Sequence, residues 1–295
     1  MVKVPKTKKR KAVEEPTPVE ELTKLDAKRI SDEPVAKKTK WVNKQRVLIF
    51  ATRGINHKNR HLMEDLKTLM PHSKPEAKME RTPDLRIVNE ICESKNCNKA
   101  ILFEGRKKRD LYMWMSNVPK GPCIKFLVEN IYTMSELKMT GNCLKGSRPL
   151  LSFDEVFTTL PHLQLMKELL SQIFGVPNYH PKSQPFFDKV YTFSYMDNRI
   201  WFRNFQIISE EGELAEIGPR FVLNPVKIFN ESFGGDTLWD NPHYISPAKL
   251  RQAFNKQAGN KYMNRIEQRI AAKVSKPEVS YPVDLIDDIF KENVD

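Results

Sequence analysis

Asp110-Leu-Tyr-Met-Trp-Met-Ser-Asn117 and Asn198-Arg-Ile-Trp-Phe-Arg-Asn204 are two stretches of this sequence that resemble each other and decide how the chain is organised. Gly121-Pro122 follows the first stretch, and Gly218-Pro219 follows the second. Each stretch therefore runs from an aromatic strand with the pattern Trp-x-x-Asn to a Gly-Pro turn and a further apolar strand. Self-similarity of this kind predicts one structural unit that is used twice.

The sequence around the first stretch predicts alternating strands and helices. A short apolar run at 46–53 predicts a buried strand, and the spacing of apolar residues predicts a helix at 57–70. Residues 72–81 are polar and are expected to form a loop. Thr82 and Pro83 are typical of a helix start, so a second helix is predicted there. Three strands should follow, at 99–104, 111–118 and 124–133.

The sequence around the second stretch predicts the same order of elements. Ser-Phe-Asp-Glu at 152–155 is a capping-box pattern that predicts a short helix. A longer helix is predicted at 161–174, followed by strands at 189–196, 199–208 and 220–229. The expected fold class is therefore α/β of the α+β type, an internally duplicated domain in which each half has a small sheet covered by helices.

The predicted domain boundaries follow from composition. Residues 1–45 form a basic tail, 46–148 the first half, 149–245 the second half, and 246–295 a C-terminal helical extension and tail. The N-terminal tail is polar and rich in Lys, Glu and Pro, so it cannot bury enough apolar surface to order itself, and disorder is expected. Its basic cluster fits a nuclear-import signal, with a solubilising tail as the alternative. The cluster consists of Lys8, Lys9, Arg10 and Lys11.

The C-terminal extension is predicted to contain a long basic helix that begins at Ser246-Pro247. Its apolar residues recur every four positions from Leu250 to Ile270, so their stripe winds around the helix. Two shapes fit this pattern: a helix that breaks near Gly259, or one that wraps along a curved surface. Its basic residues could follow phosphates or be an ordinary solvated face. The acidic and apolar segment at 283–290 could dock on a partner.

The charge of the chain is large and unevenly distributed. The formal net charge is +12 with an isoelectric point near 9.4, which predicts a polyanionic partner. Residues 46–149 carry a net charge of +9, whereas residues 150–247 carry −5. The two halves are therefore expected to face different partners.

The four cysteines form no CxxC pair, which favours reduced thiols. No apolar run is long enough for a membrane span, so no membrane partner is expected.

Motifs for catalysis and for metal binding are incomplete in this sequence. His57 and His61 have the spacing of a zinc helix but lack the Glu of H-E-x-x-H. The loop at 141–147 resembles a phosphate loop, but Ser147 stands where a Lys is required. No G-x-S-x-G or G-x-G-x-x-G motif occurs. We therefore expect no enzymatic activity, metal, cofactor or small-molecule substrate.

Basic residues interleaved with aromatic residues predict RNA binding. Alternation along a strand should place Arg199, Trp201 and Arg203 on one face, where bases could stack. The alternative is that Trp114 and Trp201 are core residues covered by arginine stems. The full candidate set is Arg46, Arg53, Lys58, Arg60, Arg106, Lys107, Lys108, Arg109, Lys120, Lys125, Lys145, Arg148, Arg199, Trp201 and Arg203.

The second Gly-Pro turn is followed by an arginine. Gly218 permits an unusual turn and Pro219 fixes the exit into the next strand, so Arg220 should be held at a defined place. There it could capture a phosphate or a carboxylate, or pair with Glu216. An isolated cation in an acidic half favours a structural or partner-facing role.

Several of these motifs together resemble the Brix domain. They are the Thr-Arg-Gly after the first strand, the Leu-Met-x-Asp-Leu helix that ends before Pro71, and three later patterns. The later patterns are Pro119-x-Gly-Pro-x-x-x-Phe126, Phe153-Asp-x-x-Phe157 and Glu216-x-Gly-Pro-Arg-Phe221. The resemblance covers roughly 46–235, with both halves in order, and is strongest to a large-subunit assembly member of the family.

The resemblance implies a nucleolar ribosome-assembly factor that is not an enzyme. Members of the family bind precursor rRNA, pair with a dedicated and often helical protein, and have halves similar to the anticodon-binding domains of class II aminoacyl-tRNA synthetases. It therefore implies precursor 60S particles, a helical and basic protein partner, and location in the nucleus and nucleolus. Gly218, Pro219 and Arg220 match the family's Gly-Pro-Arg signature, whereas Cys123 stands after the first Gly-Pro. Alternatives are an RNA-processing enzyme (a nuclease or tRNA-modifying protein) and a DNA-binding nuclear regulator.

Overall fold

The structure is a computed structural model that describes residues 45–80, 82, 84–177, 180–209 and 211–275. The predictions of a disordered tail at 1–45, of an import signal at 8–11 and of a docking segment at 283–290 concern residues that lie outside this part, apart from residue 45 itself. Pro83 also lies outside it.

Within the part of the first half that the structure describes, there are five strands and three helices. In chain order they are β1 Val47–Ala51, α1 His57–Leu69, β2 Ser73–Pro75, α2 Ile87–Ser94, β3 Lys99–Arg106, β4 Asp110–Asn117, β5 Cys123–Tyr132 and α3 Met134–Leu137. The strand at the start of the fold, the first helix and the three later strands confirm the predictions for this half.

The described residues of the second half and the extension form six strands and three helices. They are β6 Arg148–Phe153, α4 Val156–Thr159, α5 Pro161–Phe174, β7 Phe187–Met196, β8 Arg199–Ile207, β9 Leu214–Glu216, β10 Arg220–Glu231, β11 Gly234–Asp240 and α6 Pro247–Val274. The long helix at 161–174 and the three main strands confirm the prediction.

One continuous sheet joins the two halves. Its order is β2-β1-β3-β4-β5-β10-β8-β7-β6, with β9 paired to β8 and β11 paired to β10. Apart from the edge strand β2, the order is symmetric about the antiparallel contact between β5 and β10, and each half has a corresponding parallel pair, β1 with β3 and β6 with β7. The mixed α/β class and the internal duplication are thereby confirmed, and the two expected small sheets meet edge to edge.

Helices α1 and α5 pack on the same face of this sheet and form a shared core with it. Leu62 and Leu66 of α1 join Met166 and Ile173 of α5 in one buried cluster that contains strand residues of both halves. His72, which follows α1, has its Nε2 2.8 Å from the carbonyl oxygen of Ile173. Burial lowers the pKa of His72 to about 4. The two halves therefore share one apolar interior.

The opposite face of the sheet, called here the outer face, is covered unequally. In the first half, Val88 and Cys92 of α2 pack on Leu48, Phe50 and Leu102. Leu85, just before α2, and Ile91 also pack on this cluster. In the second half the described helices contribute their buried residues to the shared core or, for α6, have none. Among the described residues, no helix therefore covers the outer face of the second half.

Two local predictions were wrong in their details. Helix α2 begins at Ile87 instead of Thr82, because the Asp84 carboxylate accepts a hydrogen bond from the Arg86 amide and forms a turn before it. Ser152 belongs to β6, so no capping box forms. The Asp154 carboxylate instead accepts a hydrogen bond from the Tyr195 amide at 2.6 Å.

Four strands were not predicted, and the shape of the C-terminal helix differs from both expectations. Strand β2 lies within the predicted polar loop, β6 contains Ser152 of the predicted capping box, and β9 and β11 lie where no element was predicted. Helix α6 is continuous through Gly259, whose added Cβ would meet nothing within 4 Å, and none of its residues is buried. It therefore neither breaks nor wraps along a surface.

Candidate nucleic-acid interface

The repeated Trp-x-x-Asn and Gly-Pro patterns form the same hydrogen-bonded turn in each half. Nδ2 of Asn117 donates to the carbonyl oxygen of Gly121 at 2.9 Å, and Nδ2 of Asn204 donates to Gly218 at 2.8 Å. Both Gly-Pro peptide bonds are cis, and the two glycines have φ values of 87° and 86°. These turns lead directly into β5 and β10, the strands that join the halves.

Arg220 is engaged by a carboxylate of its own half. Its Nε and Nη2 both donate to the Glu216 carboxylate, whose side chain is only 9% exposed. Glu216 holds the pKa of Arg220 above its ordinary value. The sequence left open whether Arg220 captures a phosphate or carboxylate of a partner or pairs with Glu216, and the structure contains the pair with Glu216. It holds the start of β10 in place.

Trp114 is a structural residue of the outer face. Its indole Nε1 donates to Oε2 of Glu104 at 2.8 Å, and its ring stacks on Phe229 with centroids 5.6 Å apart. Only 7% of Trp114 is exposed, because α2 and Phe233 cover it. Trp114 is therefore a core residue, which was the alternative to a base-stacking role.

Arg199, Trp201 and Arg203 lie on one face of β8, as alternation predicts, and that face is the open outer face of the second half. Arg199 forms an ion pair with Glu129 at 2.9 Å. Trp201 is partly buried, and its Nε1 has no hydrogen-bond partner among the described residues. Arg203 is exposed, and no described acidic residue pairs with it. Of these three residues, Arg203 is the cation presented to solvent.

The β3–β4 hairpin presents three cations at its tip. Lys107 and Lys108 occupy the left-handed region, with φ values of 50° and 56°, and all side chains from Arg106 to Arg109 are exposed. The Arg106 side chain points away from the tip towards the sheet. Its Nε donates to Glu104 at 2.7 Å, and its guanidinium lies 4.9 Å from the Tyr112 ring centroid. Within the described residues, the side chains of Lys107, Lys108 and Arg109 form no ion pair. We call these three residues the hairpin tip.

Lys125 lies beneath the surface instead of on it. Its ammonium group is 4.4 Å from the Trp114 ring centroid and 4.8 Å from that of Tyr112, and its side chain is 12% exposed. Burial is the largest influence on this group and lowers its pKa to about 8. It lines an open pocket of about 770 Å³ together with Arg86 and Arg106. A phosphate would have to enter this pocket to reach it.

The remaining basic candidates are dispersed over the fold. Arg53 pairs with Glu80 at 2.9 Å, and Lys58 pairs with Glu136 at 3.1 Å beside the Tyr132 ring. Three others are partly buried: Arg46, Arg60 and Arg148, the last with its guanidinium 4.6 Å from the Phe187 ring. Two are exposed, Lys120 and Lys145. Lys120 lies in the β4–β5 turn, at the opposite end of the sheet from the hairpin tip. The structure does not gather the candidates into one patch.

Sequence reasoning missed a contact that connects two basic segments. Arg251 of α6 donates from both terminal guanidinium nitrogens to the Asp110 carboxylate, at 2.8 and 2.6 Å. Asp110 immediately follows the hairpin tip. The two residues are 141 positions apart, so no local pattern indicates this pairing.

The described residues show neither a cluster of metal ligands nor a membrane-spanning helix. Nε2 of His61 lies 3.2 Å from Nε2 of His57, but within the described part of the chain no three His, Cys, Asp or Glu side chains are grouped so that they could hold a metal ion. None of the described helices combines the length and the apolar character needed to cross a membrane.

Comparison with known proteins gives three findings. Residues 52–227 match the family model described as "Brix domain". A Drosophila melanogaster protein described as "Ribosome biogenesis protein BRX1 homolog" is 59% identical over 293 residues, which cover 97% of this chain and 82% of that protein. A Homo sapiens protein with the same description is 60% identical over 255 residues, covering 86% of this chain and 72% of that protein.

A solved structure is also similar. It is described as "Crystal structure of probable ribosomal biogenesis protein from Aeropyrum pernix K1" and has 13% sequence identity and a TM-score of 0.45, covering 61% of this chain and 96% of that chain. The family match itself begins at Thr52 and ends at Lys227, so it spans the main strands of both halves.

Proposed function

This chain belongs to the Brix-domain family, and we propose that it is a non-catalytic ribosome-assembly factor that binds precursor rRNA during formation of the large subunit. The relatives that are about 60% identical over most of the chain carry ribosome biogenesis in their descriptions, which supports an assembly role. Location in the nucleus and nucleolus is part of this proposal.

The hairpin tip is the observation that carries the RNA-binding part of the proposal. Lys107, Lys108 and Arg109 are exposed in the turn between β3 and β4, two paired strands of the sheet, in the half with a net charge of +9. Binding of phosphates by lysine and arginine releases condensed counterions from the nucleic acid, which stabilises the complex. Free cations at a projecting tip can reach phosphates without first giving up an internal ion pair.

The other basic candidates contribute unequally in this proposal. Arg203, Lys120 and Lys145 are exposed and supplement the hairpin tip. Those with carboxylate partners would have to exchange an ion pair for a phosphate: Arg53, Lys58, Arg106, Lys125 and Arg199. Trp201 would offer a stacking surface on the open outer face, between two arginines.

The second half is proposed to receive a protein partner. Residues 150–247 carry a net charge of −5, which suits a basic protein. A helical and basic assembly protein would therefore find complementary charge in this half, away from the face of Arg199, Trp201 and Arg203 that is proposed to contact RNA.

Neutralising the hairpin tip without changing its shape tests the RNA-binding proposal. In the full chain, Lys107 and Lys108 are replaced by Asn, which tolerates the left-handed region, and Arg109 is replaced by Gln. Affinity for a labelled precursor-rRNA fragment is measured over a range of salt concentrations. We expect weaker binding and a salt slope reduced by about 0.7 to 0.9 for each lost contact.

The matched control is the double substitution Lys107→Arg and Lys108→Arg, which keeps both charges and should keep the salt slope. An unchanged slope in the neutral variant would remove the hairpin tip from the interface. Metal-dependent cleavage or modification of RNA by the purified chain would favour the enzyme alternative. A preference for duplex DNA over structured RNA in competition would favour a DNA-binding regulator.

A further inference from the structure

Helix α6 is an exposed arm. Ser246 caps it by accepting a hydrogen bond from the Lys249 amide, and Pro247 occupies the first turn. Its 28 residues give a length of about 42 Å at 1.5 Å per residue. None of these residues is buried. The helix therefore offers nearly its whole circumference to binding partners.

The base of the arm is fixed beside the hairpin tip. The Asp110 carboxylate, one position after Arg109, receives both terminal nitrogens of Arg251. This hydrogen bonding lowers the pKa of Asp110. A second tie lies just before the helix, where the hydroxyl oxygens of Tyr112 and Tyr244 are 3.0 Å apart. The fold thus places two basic segments side by side that are more than 100 residues apart in sequence.

The charge of α6 is strongly positive and almost unneutralised. Residues 247–274 contain seven Lys or Arg and one acidic residue, Glu267. Arg251 pairs with Asp110, and the other six cations form no ion pair within the described part of the chain. Four of them recur at every fourth position and form what we call the basic row: Lys261, Arg265, Arg269 and Lys273. Successive members are about 6 Å apart along the axis.

An apolar row runs beside the basic row. Tyr262, Ile266, Ile270 and Val274 each follow a member of the basic row by one residue, so the two rows lie about 100° apart around the helix. Tyr262, Ile270 and Val274 are 64%, 56% and 81% exposed. The two rows therefore run side by side, and both wind around the helix by about 40° for every four residues.

We infer that α6 and the hairpin tip form one composite RNA-binding surface, in which the basic row contacts the phosphates of structured precursor rRNA. The inference rests on the proposed function and adds an element outside the residues matched by the family model, which end at Lys227. RNA is favoured over a protein because a polyanion complements a row of four cations that form no ion pair within the described part of the chain.

The test uses the full chain and a labelled RNA hairpin, with a single strand of the same length as a second probe. The variant replaces Lys261, Arg265, Arg269 and Lys273 with Ala, which has the highest helix propensity and so preserves α6. Circular dichroism checks that helicity is unchanged. We expect the dissociation constant for the RNA hairpin to rise on the order of tenfold or more and the salt slope to fall by about 3.

The matched control is Tyr262→Ala with Ile270→Ala, which shortens the apolar row of the same helix and leaves every charge in place. Its RNA affinity should equal that of the unmodified chain. Combining the basic-row variant with the neutral hairpin-tip variant tests whether the two segments act together. Contact with one RNA molecule predicts a loss that differs from the sum of the two separate losses in free energy.

The outcomes separate this inference from the proposed function. If the unmodified chain binds the RNA hairpin and the basic-row variant binds it equally well with the same salt slope, the inference is overturned while the proposed function stands. If the apolar-row variant alone loses binding, α6 is a protein-contact or stacking element, which also overturns the inference. If the unmodified chain binds neither probe, the proposed function fails.

Discussion

Asn204 donates a hydrogen bond from Nδ2 to the carbonyl oxygen of Gly218 at 2.8 Å, and this contact fixes the turn that leads into β10. Asn204 is fully buried. Its counterpart, Asn117, binds Gly121 in the same way before β5. Because β5 and β10 pair with each other, both turns support the junction between the halves.

Replacing Asn204 with Ala should destabilise the fold. The substitution removes the amide and leaves the Gly218 carbonyl without this donor in a buried place, which costs about 1 to 3 kcal/mol of unfolding free energy. Chemical denaturation of the full chain measures the loss. The control is Asn255→Ala on the exposed surface of α6, where a change within about 0.5 kcal/mol is expected. Equal stability of both variants would contradict a structural role for Asn204.

Two glycine substitutions should have opposite effects. At Gly121 the φ of +87° disfavours other residues, and an added Cβ would lie 2.2 Å from the carbonyl oxygen of Asn230. Gly121→Ala should therefore lower the unfolding free energy by about 2 to 5 kcal/mol, through both backbone conformation and overpacking. Denaturant unfolding measures this loss.

Gly259 is the matched site, because it lies inside α6 and an added Cβ meets nothing within 4 Å. Gly259→Ala should stabilise the helix by about 0.5 to 1 kcal/mol. Amide hydrogen exchange along α6 is the suitable measurement, since the arm can open without global unfolding. Faster exchange in this variant would contradict the continuous exposed helix.

Replacing Arg220 should change stability more than RNA affinity. Its guanidinium is engaged by Glu216, and Arg220→Ala would leave a nearly buried carboxylate without its partner. We expect a loss of about 1 to 3 kcal/mol in unfolding free energy and an unchanged salt slope for RNA. Both are measured on the same preparation. A reduced salt slope with unchanged stability would assign Arg220 to the RNA interface instead.

The buried ammonium of Lys125 should make stability depend on pH. Its pKa is about 8 in the folded chain and near the ordinary value of 10.5 in the unfolded chain. Between these values the unfolded chain binds more protons, so the unfolding free energy should rise as pH increases from about 8 to 10.5. Below about 8 the folded state carries the full cost of the buried charge.

Lys125→Met isolates this effect, because methionine fills similar space without a charge. The difference in unfolding free energy between the two proteins is measured at several pH values across the window. Among the groups that face Lys125, Cys123 has its pKa raised to about 12 by burial, so it contributes little there. Glu104, Arg106 and Lys227 are present in both proteins. A difference that stays constant with pH would contradict the burial of this ammonium.

Local chemistry made much of the fold predictable from the sequence. Helix α5 begins at Pro161 and ends before Gly175, and α6 begins after Ser246, because proline, serine and glycine act on the backbone within a few residues of themselves. The duplication can also be recognised in the sequence, because each half needs the same Asn and Gly-Pro residues to build its turn.

Predictions failed where a distant contact competes with a local one. The capping box at Ser152 does not form because β7 pairs with β6 and places the Tyr195 amide within reach of Asp154. Strand β11 escaped detection because its pairing with β10 makes it a strand, while its own sequence has Gly-Gly and exposed residues.

For the candidate interface, the sequence by itself determined which residues are cations and that the Arg106–Arg109 segment is a loop between strands. Only the tertiary structure decided which of these cations are available. Ion pairing of Arg220 and burial of Lys125 depend on residues brought near by sheet registers. The structure also decided that α6 starts beside the hairpin tip, because the Asp110–Arg251 pair joins positions 141 residues apart. Charge is a property of each residue, whereas its availability depends on packing and on partners distant in the sequence.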